Sequence, residues 1–600
     1  MKNLKMKATG VLGGIVGMIL TTGCVNNLLE QNPKGELSKG MFWKTEEDAV
    51  YAINGAYASI RPYFSYEHFM DCMTDIAWAR SAGTARNLIN ASFNPGSNGF
   101  GELWKGLYGG INRANYVIDG VNEMLPAAKP AVVPGLERVL GEARFLRALC
   151  YFRLITMWGD VPYIEKTVYD KSEVERLYRT PVAEIKDKIL ADLTYAYGKL
   201  PPRISAEESG RASRVAALAF RGKVQLYWAS WNKFGWPELD GFVPDPDAAT
   251  AAYTAAAADF REVINDYGLN LFRNGAPGEP GAPGKCDKLP NYFYLFTPQF
   301  ETPAINSEII FAFAYSGPNM GQGSNLMNDI GNRSTENSQS ILCPTMDLVN
   351  CYQLVSTGDF APELIPMNGN QPGAREAENS AVNPASYEGR DYRCRATVLW
   401  DYEVMNKLVS QKNDGTATWL YKASAPYIQA SAMETGYVPR KWVRDQSMGC
   451  ARGDTPQDYY LMRLADVFLM YAEATNFLHG PQPDAIALLN RVRARGGLPA
   501  LGSECTADAE AFFKAIEQER KVELVLEGQR YFDIRRWRKF EEVWGPAGGQ
   551  GRIIRNTWGE VRRTDFKSYD DLARQRYYIM QIPQSERDLN PNLTQNTPWL

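Results

Sequence analysis

Histidine is almost absent from this chain: only His68 and His479 occur in 600 residues. That scarcity argues against a histidine-rich metal site. The nine cysteines are scattered with no Cys-x-x-Cys pair, which excludes zinc-ribbon and thioredoxin-type motifs. Cys150, inside a helical run, reads as a small buried hydrophobe. Cys343 and Cys351 are near enough in sequence to bridge, with their geometry open. Charge of either sign is not in excess. The net value of −4 argues against a general nucleic-acid or anionic-membrane surface. Beyond the N-terminus no stretch offers the roughly 18 consecutive apolar residues that a membrane-spanning helix needs. The Gly-rich run 275–285 only brushes against a phosphate loop. Five residues separate Gly278 from Gly284, and Cys286 stands where Ser or Thr belongs. Asp240, Asp245 and Asp247 are too few to claim a cation site. No metal and no cofactor is implied.

Aromatic residues are plentiful, at 12% of the chain. They serve a core, and they also suit a protein that binds flat-faced ligands. The length points to two or more structural units. Lys2, Lys5 and Lys7 precede an apolar run from Val11 to Leu20, which is followed by Thr21-Thr22-Gly23-Cys24. This order resembles a bacterial lipoprotein signal over residues 1–23. Cys24 is then the first mature residue and carries acyl chains, which anchor by burying methylenes. Thr21 replaces the usual branched aliphatic residue three before the cysteine. Residues 24–40 read as a polar tether.

Apolar residues recur at helical spacing over Glu46–Ile60, Leu103–Leu125, Leu136–Trp158, Pro181–Gly198, Arg214–Trp231 and Ala248–Tyr267. Thr180 is expected to cap the fourth, with Pro181 in its first turn. The later starts lie about 34 residues apart, near the tetratricopeptide period. Residues 41–270 thus form a helical region. Cys72–Gly101, rich in Asn and Gly, is a long loop within it, and such loops on rigid scaffolds often carry function. Residues 271–450 are irregular. Short strands are expected at Asn306–Phe313, Val398–Met405, Trp419–Ile428 and Tyr437–Val443. Residues 451–600 form a third, helical region.

The most informative stretch is Ile516–Trp537, sequence IEQERKVELVLEGQRYFDIRRW. Its spacing predicts a helix over Asp508–Glu527 stopped by Gly528. Its charges form a set that must pair. Glu519 and Glu523 as an acid/base couple is the alternative to a structural network. Together with Arg463–Ala474 (RLADVFLMYAEA) and Leu489–Leu498 (LNRVRARGGL), this run strongly resembles the SusD/RagB family of outer-membrane nutrient-binding lipoproteins. Asn306–Phe313, Tyr577–Pro583 and Asn590–Leu593 extend the resemblance over nearly the whole mature chain.

The resemblance implies a mostly α fold, a tetratricopeptide-like helical scaffold with long irregular loops and a few short strands. It implies a surface protein that captures oligosaccharides and passes them to a TonB-dependent SusC-like transporter, with peptide binding as the alternative and a glycoside hydrolase less favoured. Sugar recognition needs rings for the apolar C–H face and planar amide or guanidinium groups for the hydroxyls. That chemistry and the family's contact regions point to Trp78, Arg80, Phe93, Asn98 and Phe100 in the first loop. Tyr292 and Tyr294 follow in a dense aromatic run. Tyr315 stands at the edge of the Gly/Asn/Ser-rich stretch 316–340, which holds Asn319 and Asn325; relatives often place more aromatics there than this chain does, which leaves the ligand class open. No catalytic residue is assigned.

Overall fold

The computed structural model describes residues 42–65, 67–79, 96–278, 289–298, 306–315, 317, 320–331, 341–400, 434–442, 453–545, 553–563 and 571–600. Six long helices make the first half: α1 (Glu46–Phe64), α2 (Gly101–Met124), α3 (Val133–Trp158), α4 (Val182–Lys199), α5 (Arg214–Phe234) and α6 (Pro246–Asp266). Each packs on the next, as in a repeat array. Helix α1 starts at a capping box between Thr45 and Asp48 and buries Ala49, Ile53, Ala56 and Ile60 along one stripe. Its approach to α2 is close because glycine lines the contact. A Cβ on Gly110 would stand 2.1 Å from the Ile60 Cγ2. Helix α3 is buried on nearly every side from Val139 to Trp158, so it is the centre of this half.

The start of α4 differs from the expectation. Thr180 makes a bridge with Val161 rather than a cap, and the helix begins at Val182. The Val182 amide is satisfied instead by the Asp160 carboxylate at 2.7 Å. Asp245 caps α6 through the amides of Asp247 and Ala248, which accounts for one of the three acids near Pro246.

The C-terminal half adds α7 (Leu464–His479), α8 (Pro483–Arg495), α9 (Ala509–Glu523) and α10 (Gln529–Arg536), with α7 seated against α6 and packing on both α8 and α9. Two short helices near the C-terminus are α11 (Asp571–Tyr578) and α12 (Gln584–Leu589). Among the described residues the strands form four two-stranded antiparallel pairs: β1 (Ala77–Ala79) with β3 (Leu342–Pro344), β2 (Ile309–Phe313) with β6 (Tyr459–Arg463), β4 (Val398–Leu399) with β5 (Val438–Pro439), and β7 (Ile553–Arg555) with β8 (Val561–Arg563). The strand expected at 419–428 lies outside the described residues. Cys343 and Cys351 are not bridged to each other, and Cys150 is buried. No helix among the described residues is long and apolar enough to cross a membrane.

The predicted 508–527 helix stops short of its expected end, and a second helix follows it. α9 ends at Glu523, Leu526 takes φ +62°, and Gly528 takes φ +72° to begin α10. Gly528 is there because of a close approach: a Cβ would lie 2.3 Å from the Glu67 carbonyl oxygen. The turn also aims a buried charge network. Arg463 donates to Glu308, Glu523 and Glu527; Arg495 to Glu308 and Glu523; Arg393 to Asp391, Glu519 and Glu523. Burial would push the Glu523 carboxyl up, but Arg495, Arg463 and Arg393 outweigh it and hold it at about 2. Arg520 and Arg536 form a second cluster with Asp466, Asp533 and Glu473. Arg535 departs from the expected acid pairing: it donates to the backbone carbonyls of Thr156, Met157 and Tyr578. Glu519 and Glu523 are therefore enclosed counter-ions, not an accessible acid/base couple.

Candidate functional site

Two of the expected ring contacts prove to be core residues. Trp78 sits at the centre of β1, is 1% exposed, and donates its indole N–H to Glu434. Tyr292 is 2% exposed; its hydroxyl donates to the Glu523 carbonyl and accepts from Lys441 Nζ. Neither offers a free face to stack on a ligand. Tyr294 is half-buried, with the Arg273 guanidinium 5.0 Å from its ring centre. Arg80, Phe93, Asn319 and Cys24 lie outside the described residues.

Asn98 and Phe100 belong to a different neighbourhood. Phe100 is half-buried at the entrance to α2. The Asn98 side-chain carbonyl accepts from the Ser585 amide at 3.0 Å. Gln581 bonds Ser97 beside it, so this end of the first loop is tied to the C-terminal segment.

The remaining residues, Tyr315 and Asn325, fall in one polar patch. It is built where the end of α1 meets the segment after β2. The Tyr315 hydroxyl bonds Ser65, one turn beyond Arg61 on α1. The Arg61 guanidinium covers one face of the Tyr315 ring at 4.4 Å. It donates to the Ala314 carbonyl at 2.9 Å and to Gln322 Oε1 at 2.9 Å. The following loop is held from across the chain. Asp454 accepts from the amides of Gly321 and Gly323, and Ser324 bridges Thr455. Asn325 donates to Asp329 at 3.1 Å, and Asp329 lies 3.6 Å from the buried His68 ring. The Ile341 amide donates to the Asp329 backbone carbonyl at 2.7 Å and leads directly into β3, the partner of Trp78 in β1. That bond makes the support for the two predicted loop regions continuous. Trp78 is thus linked to the patch through β3 and Asp329, while Tyr315 lies half-buried within it.

The patch presents a half-buried tyrosine and arginine, an exposed Gln322, and Met320 at 69% exposure. Arg61, Ser65, Gln322 and Asp454 were not singled out in the sequence. Their partners lie 131 to 261 residues away, so no local pattern marks them. Behind the patch, burial pushes the Asp458 carboxyl up to about 7, against the opposing pull of the Tyr315 amide and Arg61. Asp458 accepts that amide at 2.7 Å and fixes the backbone of the tyrosine. No cluster of His, Cys, Asp and Glu able to hold a metal occurs among the described residues.

Comparison with known proteins gives a consistent picture. A family model described as "SusD family" matches residues 307–599, and one described as "Starch-binding associating with outer membrane" matches 29–226. A SusD-like protein of Formosa agariphila is 24% identical, over 97% of this chain and 98% of its own. A SusD-like protein of Bacteroides ovatus is 22% identical, over 87% of this chain and 81% of its own. Among solved structures, a SusD-like protein from Bacteroides fragilis superposes with a TM-score of 0.67 at 21% identity, covering 93% of this chain and 98% of that one. A laminarin-binding SusD-like protein superposes with a TM-score of 0.60 at 23% identity, covering 92% and 99%.

Proposed function

The chain belongs to the SusD/RagB family, and from that membership we propose that it is a cell-surface oligosaccharide-binding lipoprotein working with a TonB-dependent SusC-like transporter. The observation that carries the binding part is the patch around Tyr315. One ring face is covered by Arg61, and Gln322 and Asn325 bring planar amides to the same loop. A sugar places its apolar face on a ring and its hydroxyls on such groups. Staples from Asp454 and Asp458 hold the loop before a ligand arrives, which lowers the ordering cost of binding. Arg80, Phe93, Asn319, Tyr294, Asn98 and Phe100 complete the proposed ligand-binding set. The lipid anchor at Cys24, the outward orientation and the handover to a transporter rest on the family resemblance and on the N-terminal sequence.

Peptide capture is the second reading. It is favoured by the burial of Trp78 and Tyr292, which leaves fewer rings for an extended sugar platform. Affinity electrophoresis of the mature protein on a panel of polysaccharides, with Tyr315→Ala beside it, tests the first reading. Retardation on at least one glycan that Tyr315→Ala abolishes supports it. No retardation on any glycan, with binding to peptides, replaces it by the second.

A further inference from the structure

A cavity of about 320 Å³ lies away from the Tyr315 patch, between the first half of α2, the 162–177 connection and α12. Its wall is formed by the rings of Trp104 and Tyr108 and by aliphatic side chains, among them Ile111, Ile164, Leu589 and Leu593. The volume falls in the range of small-ligand sites, roughly 300–1,000 Å³.

The polar atoms along the wall are mostly spent internally. The Tyr108 hydroxyl donates to the Pro162 carbonyl at 2.8 Å. The Asn112 amide donates to the Val168 carbonyl at 3.0 Å and accepts from the Val168 amide at 2.7 Å. Asn590 donates to the carbonyls of Val174 and Leu177. Glu586 is different. Its carboxyl is half-buried on the wall, and the interactions that act on it are desolvation and the field of Lys105, with no hydrogen bond among the described residues. A free sugar would carry several hydroxyls into this wall and leave most of them unpaired, which costs more than its apolar face gains.

We propose that this cavity is a second binding site, selective for a compact apolar ring that carries one cationic amine, with Glu586 as its acceptor. The ring fills the space between Tyr108 and the aliphatic wall, and the amine reaches the Glu586 carboxylate. The site stands independently of the carbohydrate reading.

Gly109 supplies a clean test. It lines the cavity, and a Cβ added there meets nothing within 4 Å. A leucine at this exposed mid-helix position has room at its Cβ and narrows the cavity. Calorimetric titration of the mature protein with tryptamine, indole and maltose is the experiment. Tryptamine is expected to bind about tenfold more tightly than indole, a difference of about 1.4 kcal/mol. Maltose is expected not to displace it. Gly109→Leu abolishes tryptamine binding while the melting temperature holds or rises, and Glu586→Gln removes the preference over indole. Should Gly109→Leu fail to fold, Leu589→Trp, which starts from a 58% exposed side chain at the cavity, blocks it instead. Retardation of Gly109→Leu on glycans stays as in the parent chain, whichever way the carbohydrate test falls. Absence of tryptamine binding, unchanged binding in the filled variants, or displacement by maltose overturns the proposal.

Discussion

At the scale of single residues, a buried charge is kept by its partners. Glu523 meets three guanidiniums in a site closed to solvent. Removing it strands positive charge, so Glu523→Ala is expected to cost about 3–5 kcal/mol of stability. Chemical denaturation checks this; an unchanged midpoint would contradict the structural role. The depressed carboxyl also sets an acid limit. Its stabilising contribution is complete above the ordinary value of 4.5 and is lost as pH falls toward about 2.

Asp71 works in the opposite direction. Burial, opposed by the amides of Gly528 and Leu526, raises its carboxyl from 3.8 to about 8. The folded chain therefore holds this proton more tightly than the unfolded chain. Its contribution is full below 3.8 and is lost as pH rises through about 8. Asp71→Asn keeps an acceptor for the Gly528 amide and removes the titration. Melting curves of the variant are expected to decline less than those of the parent from about pH 5 to about pH 8. Parallel declines would show that Asp71 does not carry the effect. Trp78→Ala removes a fully enclosed ring and is expected to lower stability by about 3–5 kcal/mol. A loss of ligand binding with no change in melting would return Trp78 to the ligand-facing set.

Elements were legible in the sequence in proportion to how local their causes are. The six N-terminal helices follow from apolar spacing; the Thr45 and Asp245 caps of α1 and α6 are equally local but were not read as caps. The break between α9 and α10 was less visible, because the apolar stripe runs on through Val525 and Leu526. What ends α9 is tertiary: the chain turns so that Glu527 reaches Arg463 and Lys441, and Gly528 passes against the Glu67 carbonyl. The same holds at the start of α4, where Asp160 replaces the expected threonine cap. The loop after β2 is another long-range construction. Its amides at Gly321 and Gly323 depend on Asp454, so Asp454→Ala is expected to speed hydrogen exchange at these two positions while leaving α1 protected. Unchanged exchange would mean that the loop is held by something other than this carboxylate.

For the whole molecule, the scaffold and the site answer to different parts of the sequence. The motifs that mark the family, 463–474, 489–498 and 516–537, contribute Arg463, Arg495 and Glu523 to one buried network and Arg520, Asp533 and Arg536 to another. They identify the fold because they build its centre, and for the same reason they say nothing of the ligand. The candidate site rests on residues with no such signature. Tyr315 was recognisable as an aromatic in a Gly/Asn-rich stretch, whereas Arg61 and Gln322 become neighbours only through folding. Trp78 and Tyr292 were singled out by residue type, and type does not separate a ring that stacks on a ligand from one that fills a core; burial does.

Carbohydrate binding is proposed for the Tyr315 patch, stiffened by Arg61 and Asp454. The most direct measurement is the affinity of the mature protein and its Tyr315→Ala variant for whichever glycan retards the parent chain, read beside their melting temperatures. The expected result is a loss of at least about tenfold in affinity, the scale of a ring contact worth about 1.4 kcal/mol or more, with melting changed little. Equal affinity of the two proteins for that glycan would show that Tyr315 does not bind it.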